Sequence, residues 1–148
     1  MDLQDEITIA APRQRVYNAL NDADVLRDCI PGCEELTKIS DTELTAKVRL
    51  KIGPVKARFN GDVVLDPAEA PAAFSLTGVG NGGVAGFAKG GAKVALEETG
   101  PEETVLRYAA HAEVGGKLAQ LGNRLVASTA KKLSAQFFEA FKARVEES

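Results

Sequence analysis

The chain has 148 residues, of which 45% are apolar and 26% charged, and a formal net charge of −3. That length holds one domain, and the charge does not suit a protein that grips a nucleic-acid backbone. Two Tyr, six Phe, no Trp and a single His exclude a tri-histidine metal centre and leave few rings for stacking bases.

The acidic start Met1-Asp2-Leu3-Gln4-Asp5-Glu6 lacks the basic and apolar regions of a signal peptide, and no apolar run reaches the ~18 residues of a bilayer span. Cys29 and Cys33 flank a Pro-Gly turn rather than framing a disulfide scaffold. The expectation is a single domain over residues 1–148 in a cytoplasmic setting, with peripheral association at the inner face of the membrane left open and no transmembrane segment.

Leu3, Ile7 and Ile9 share one face of a first strand that ends at Ala10-Ala11-Pro12. Proline suits the first turn of a helix, and Val16, Tyr17 and Leu20 then form one apolar stripe. Asn21 is placed to cap a second short helix, with Asp24 in its acidic first turn and Val25-Leu26 on its buried side. Ile30-Pro31-Gly32 stops that helix, because a residue before proline avoids the helical region.

From about Glu34 to Val114 the period changes to two. Leu44, Ala46, Val48, Leu50 and Ile52 alternate with Thr45, Lys47, Arg49 and Lys51, which describes a strand with one wet face. Gly53-Pro54 turns the chain, and Val55, Ala57, Phe59, Val63 and Leu65 continue the alternation. Phe74 with Leu76, Val94 with Leu96, and Leu106 with Tyr108 mark further strands. Last, Leu118, Leu121, Leu125, Thr129, Leu133, Phe137, Phe141 and Val145 fall three or four apart, one helix of roughly 29 residues and about 44 Å. This order predicts an α+β helix-grip fold: a curved antiparallel sheet of six to seven strands around a long C-terminal helix, with two short helices after the first strand. Such a fold commonly leaves an apolar cavity between sheet and helix.

Few motifs suggest chemistry. Gly78-Val79-Gly80-Asn81-Gly82-Gly83 satisfies the dinucleotide-binding pattern, but a strand follows where that site needs a helix. The glycine-rich run to Gly91 reads instead as a bent hairpin packed by Phe87, or as a flap over a cavity mouth. Zinc at Cys29 and Cys33 would need two more ligands where only His111 is at hand, so no metal and no cofactor is expected. His111 alternates with Arg107 and Glu113 on a solvated face, and no nucleophile pairs with it.

Leu20-Asn21-Asp22, Cys29-Ile30-Pro31-Gly32-Cys33-Glu34, Lys51-Ile52-Gly53-Pro54-Val55-Lys56, Gly86-Phe87-Ala88-Lys89-Gly90 and the run from Val114 to Gly122 together resemble the carbon monoxide dehydrogenase G-subunit (CoxG) family, as do Lys131-Lys132-Leu133 and Gln136-Phe137-Phe138. That family lies in the START-like (SRPBCC) superfamily. The resemblance implies an accessory role beside a molybdenum hydroxylase of the carbon monoxide dehydrogenase type, in recruiting it to the membrane and handling respiratory quinone. Many members carry a C-terminal extension with a membrane anchor; this sequence stops at Ser148.

The leading expectation is therefore a non-catalytic protein whose cavity binds a hydrophobic small molecule, a quinone or lipid. Phe59, Leu76, Tyr108, Leu121, Leu125 and Phe137 are the candidate lining, with Tyr108 offering a hydrogen bond to a carbonyl. Leu26, Ile30 and Phe87 are placed at its mouth. Lys47, Arg49 and Lys51 share an outward face suited to docking an acidic partner or lipid headgroups. Two other readings stand beside this one: an enzyme of the polyketide cyclase or aromatase kind using the same cavity, and a pure docking module using the basic face.

Overall fold

The alternation and the helical stripes resolve into seven strands and four helices in a computed structural model of the chain, which describes residues 1–147. Strand β1 (Asp2–Ile9) leads through α1 (Arg13–Leu20) and α2 (Ala23–Cys29) into a meander. The meander comprises β2 (Cys33–Ser40), β3 (Glu43–Ile52), β4 (Val55–Asp66), β5 (Ala73–Asn81), β6 (Phe87–Gly100) and β7 (Glu103–Gly115). Helices α3 (Lys117–Gln120) and α4 (Asn123–Glu147) follow. The sheet is antiparallel throughout, in the order β1-β7-β6-β5-β4-β3-β2. This is the expected α+β helix-grip arrangement.

Local chemistry explains the joints and corrects three expectations. Asp22, not Asn21, caps α2: its Oδ1 accepts the N–H groups of Asp24 at 2.9 Å and Val25 at 3.4 Å. Asn21 instead closes α1, donating from Nδ2 to the Tyr17 carbonyl at 3.0 Å. The single long helix is in fact two. Leu121 and Gly122 donate to Leu118 and Ala119 in tight i to i−3 bonds, and Gly122 then turns to φ +92° before α4 begins. The apolar stripe runs on through this break, so periodicity alone could not reveal it. Third, the β5–β6 pairing runs without a register shift from Ala73 opposite Ala95 to Asn81 opposite Phe87. Gly78, Gly80, Gly90 and Gly91 are therefore paired strand positions, with Gly90 so close to β7 that a Cβ there would run into the His111 carbonyl oxygen, and a short 3-10 turn, Gly83–Ala85, lies between the two strands.

The core divides into two clusters. The larger gathers Ile9, Val16, Leu26, Leu44, Leu65, Phe74, Leu96, Leu106, Phe141 and Val145. Rings from four elements meet there: Tyr17 edge-on to Phe74, Tyr108 stacked on Phe138 at 4.7 Å, and Phe137 stacked on Phe141 at 5.7 Å. The buried Thr104 hydroxyl donates to the Ala11 carbonyl at 2.8 Å and ties β7 to the β1–α1 corner. A smaller cluster of Phe59, Ala85 and Leu118 closes the opposite end.

A charged clasp holds the last turns of α4 on β1. The Glu146 carboxylate accepts the Ala10 N–H at 2.8 Å and the Lys142 ammonium at 2.9 Å, and Lys142 donates on to the Thr8 carbonyl at 2.6 Å. The Ala10 N–H, then Lys142, hold this carboxyl below the usual glutamate range. A carboxyl depressed in the folded state contributes stability above its unfolded pKa and loses it as pH falls through the folded value. Glu146→Gln should therefore cost roughly 1 kcal/mol at neutral pH. The difference from wild type should shrink below about pH 4 in thermal melts, the acid side of the usual range.

Candidate ligand cavity

Inward-pointing residues change size along the sheet. Ala46, Gly61, Gly80, Ala88 and Val114 stand side by side across β3 to β7. The next row is Leu44, Val63, Gly78, Gly90 and Ala112. Two rows further come Phe74, Val94 and Tyr108. Helix α4 repeats the gradient, with Val126, Thr129, Ala130 and Leu133 in its first half and Phe137, Phe138 and Phe141 in its second. Where small residues face small residues, a half-open cavity of about 410 Å³ remains.

The other walls of the cavity are Val48, Leu50 and Ile52 of β3, Phe59 of β4, Leu118 of α3, the Ile30-Pro31 turn and Met1. Met1 is fixed by its own ends: the amino group donates to the Ala112 carbonyl at 3.0 Å, and its carbonyl accepts the Ala112 N–H at 2.9 Å. Thr129 is the one lining residue with a polar side-chain group, and its hydroxyl has no hydrogen-bond partner among the described residues. Three other depressions lie over the outer face of the sheet and are bordered by charged residues such as Asp5, Glu6, Lys93 and Arg107, and a fourth lies beside the cavity between the end of β7 and the start of α4, lined by Met1, Glu113, Asn123 and Ala127.

The structure brings together only part of the anticipated lining. Phe59 forms a wall, and Ile30, anticipated at the mouth, forms another. Leu121 packs on the smaller cluster instead, and Leu125 lies against the Gly53 turn. Leu76, Tyr108, Phe137 and Leu26 belong to the larger core. Tyr108 stacks on Phe138 and is not among the residues that wall the cavity. Phe87 is 42% exposed and lies over Gly115 rather than at the cavity rim. Periodicity identifies the face of each residue but not the row it occupies, and row is what separates the filled end from the empty one. A usable signal was present in the glycines and alanines at alternate positions from Gly78 to Ala92, and in Thr129 as the lone hydroxyl among the residues named for the α4 stripe.

The basic face is partly neutralised. Lys47, Arg49 and Lys51 point outward as expected, but Lys47 lies 3.2 Å from Glu35 and Arg49 lies 3.7 Å from Glu34. Glu34 also accepts from Arg58 at 2.6 Å, and that bond holds its carboxyl below the usual range. His111 is exposed, with Nδ1 2.7 Å from the Asp2 carboxylate, which it holds low. Cys29 is buried and Cys33 half-buried; burial pushes both thiols up, away from the reactive thiolate.

With this geometry in place, one comparison is decisive. The sequence profile of the carbon monoxide dehydrogenase G-subunit (CoxG) family matches residues 6–146. The chain belongs to that family. No curated protein matches it. Among solved structures, a conserved protein from Geobacillus kaustophilus is 28% identical, with a TM-score of 0.91 over 100% of this CoxG-family chain and 97% of the other. A START superfamily protein from Mycobacterium smegmatis is 18% identical, with a TM-score of 0.74 over 99% and 97% of the two chains. An aromatase/cyclase from a Streptomyces species is 14% identical, with a TM-score of 0.71 over 99% and 93%. The latter two likenesses show the START and cyclase-like fold alone. No helix among the described residues of this CoxG-family chain is long and apolar enough to cross a membrane.

Proposed function

We propose that this CoxG-family protein is a non-catalytic carrier that holds a hydrophobic small molecule, a respiratory quinone, in the cavity between α4 and the sheet. In that role it would assist a molybdenum hydroxylase of the carbon monoxide dehydrogenase type. The observation that carries this reading is the cavity itself: about 410 Å³, hydrocarbon-walled, with one hydroxyl and no acid–base side chain in its lining. That volume falls within the ~300–1,000 Å³ usual for small-molecule sites. Covering ~500 Å² of apolar ligand surface supplies ~12 kcal/mol gross. Association costs of ~4 kcal/mol or more leave at best a micromolar affinity. Lys47, Arg49 and Lys51 supply a docking face for the enzyme, and their outward orientation supports that assignment.

The test is extraction of protein purified without detergent, followed by mass spectrometry and calorimetric titration with a short-chain quinone. A co-purifying quinone, or saturable binding of one quinone per chain, is the expected result; finding neither removes the carrier role. Thr129 provides a finer check. Its hydroxyl adds almost no polar surface to the cavity wall, so Thr129→Val should leave quinone affinity little changed. The same change should leave the affinity for an aliphatic ligand without a carbonyl unaltered.

A further inference from the structure

The cavity wall suits a hydrocarbon and has little to offer a polar group. Its lining carries a single side-chain hydroxyl, that of Thr129. A carbonyl or hydroxyl left unpaired against hydrocarbon weakens binding roughly tenfold or more. Any ligand with an oxygen-bearing end therefore needs a second place for that end.

One such place adjoins the cavity. The depression between the end of β7 and the start of α4 holds about 450 Å³ and shares four walls with the cavity: Met1, Ala112, Val114 and Val126. Beyond them it is bordered by Asp2, Glu113, Asn123 and Ala127. Met1 borders both spaces, and its unbranched side chain adapts readily to what lies beside it.

Polar groups without partners meet in this depression. Met1 and Ala112 exchange both backbone hydrogen bonds, at 3.0 and 2.9 Å, and theirs is the last pairing between β1 and β7 among the described residues. Backbone groups alternate sides along a strand, so the N–H and C=O of Val114 project on the same side as those of Ala112. No strand lies beside Val114 there among the described residues, which leaves one donor and one acceptor open on the depression. The exposed Asn123 amide likewise has no hydrogen-bond partner among the described residues. The charges on the border are already engaged. The Met1 ammonium donates to Ala112, Asp2 lies 2.7 Å from His111 Nδ1, and Glu113 lies 3.6 Å from Lys89. That leaves hydrogen bonding, and suits an uncharged group.

We propose that this depression is the head-group subsite of the cavity. It takes the uncharged, hydrogen-bonding end of an amphiphile whose aliphatic part fills the hydrocarbon-walled space. A quinone carbonyl would accept from the Val114 N–H or the Asn123 amide, and a quinol hydroxyl would also donate to the Val114 carbonyl. The inference rests on the carrier reading for the presence of a ligand and adds its orientation.

Calorimetric titration with two probes of equal chain length, a decyl-substituted benzoquinone and decylbenzene, tests it. Wild-type protein should bind the quinone roughly tenfold or more tightly than the hydrocarbon. Ala127 borders the depression and not the cavity, so Ala127→Leu narrows the subsite alone. That change and Asn123→Leu should each lower quinone affinity about fivefold and leave decylbenzene affinity as it is. In NMR spectra of the wild-type protein, the Asn123 side-chain amide signals should shift on adding the quinone and not on adding decylbenzene. Those spectra carry the test even if a variant folds poorly. Equal affinity for the two probes, or equal losses of both in the variants, overturns the proposal and leaves the carrier role standing. Quinone-specific shifts confined to the Ile30 side of the cavity would put the head at the opposite end and overturn it likewise. Binding of neither probe removes the carrier role and the subsite together.

Discussion

Leucine at both Gly61 and Gly80 should abolish ligand binding while leaving the thermal midpoint unchanged or raised. The two glycines face each other across β4 and β5, and both line the cavity. A Cβ at Gly61 would have the Val79 carbonyl oxygen as its nearest neighbour at 3.8 Å, and one at Gly80 the Ala88 oxygen at 4.0 Å. Neither position has a positive φ. The side chains can therefore enter empty space without moving the backbone. Glycine in a strand costs conformational entropy on folding, so each replacement also removes a penalty of roughly 0.5–1 kcal/mol. The isobutyl groups would occupy the site of the ligand, and quinone affinity should fall at least a hundredfold in the calorimetric titration. Gly80→Ala, which adds one carbon, should keep most of the binding. Undiminished affinity in the double-leucine variant would place the ligand elsewhere on the molecule.

The largest loss of stability should follow Phe141→Ala. This ring is 0% exposed, stacks on Phe137 at 5.7 Å and sits in the larger core cluster. Removing it should cost about 3–5 kcal/mol, a large share of the ~5–15 kcal/mol that stabilises a typical domain. For a chain of this size that corresponds to a fall of roughly 10 °C in Tm. The same kind of truncation nearer the start of the helix behaves differently. Leu133 borders a space that is already empty, so Leu133→Ala creates less new void and should cost less than Phe141→Ala in parallel denaturant melts. Equal costs would mean that the two halves of α4 are equally well packed.

The unequal halves of α4 also show where sequence reasoning succeeds and where it stops. Lys47, Arg49 and Lys51 could be assigned to the wet face of β3 from alternation alone, because a period of two leaves no choice of side. The strand–helix–helix–meander–helix order could be read in the same way. Tyr108 and Phe137, expected in the cavity lining, pack against the larger core and are not among the residues around the cavity. Depth along the sheet follows from cross-strand register: Gly61 meets Gly80 and Gly80 meets Ala88 only through pairings between distant segments. Register is a tertiary fact, and no local pattern in β4 announces its partner in β5. The helix break was hidden for a related reason. Gly122 bends the backbone while Leu118 and Leu125 keep their places on the apolar stripe.

Acidic residues crowd the β6–β7 turn (Glu97, Glu98, Glu102 and Glu103), whereas Lys51, Lys56, Lys117, Arg124, Lys131 and Lys132 have no carboxylate partner among the described residues, so charge is unevenly spread over a molecule of net charge −3. A uniformly charged body with that sign would be pushed from a negative surface whatever its orientation. An unevenly charged one in the same field experiences a torque, which turns the Lys51–Lys56 turn toward the negative charge and the Glu97–Glu103 turn away from it. The turning acts within about one screening length, ~8 Å at physiological ionic strength, so orientation is selected just before contact. Net charge sums over that asymmetry and conceals it.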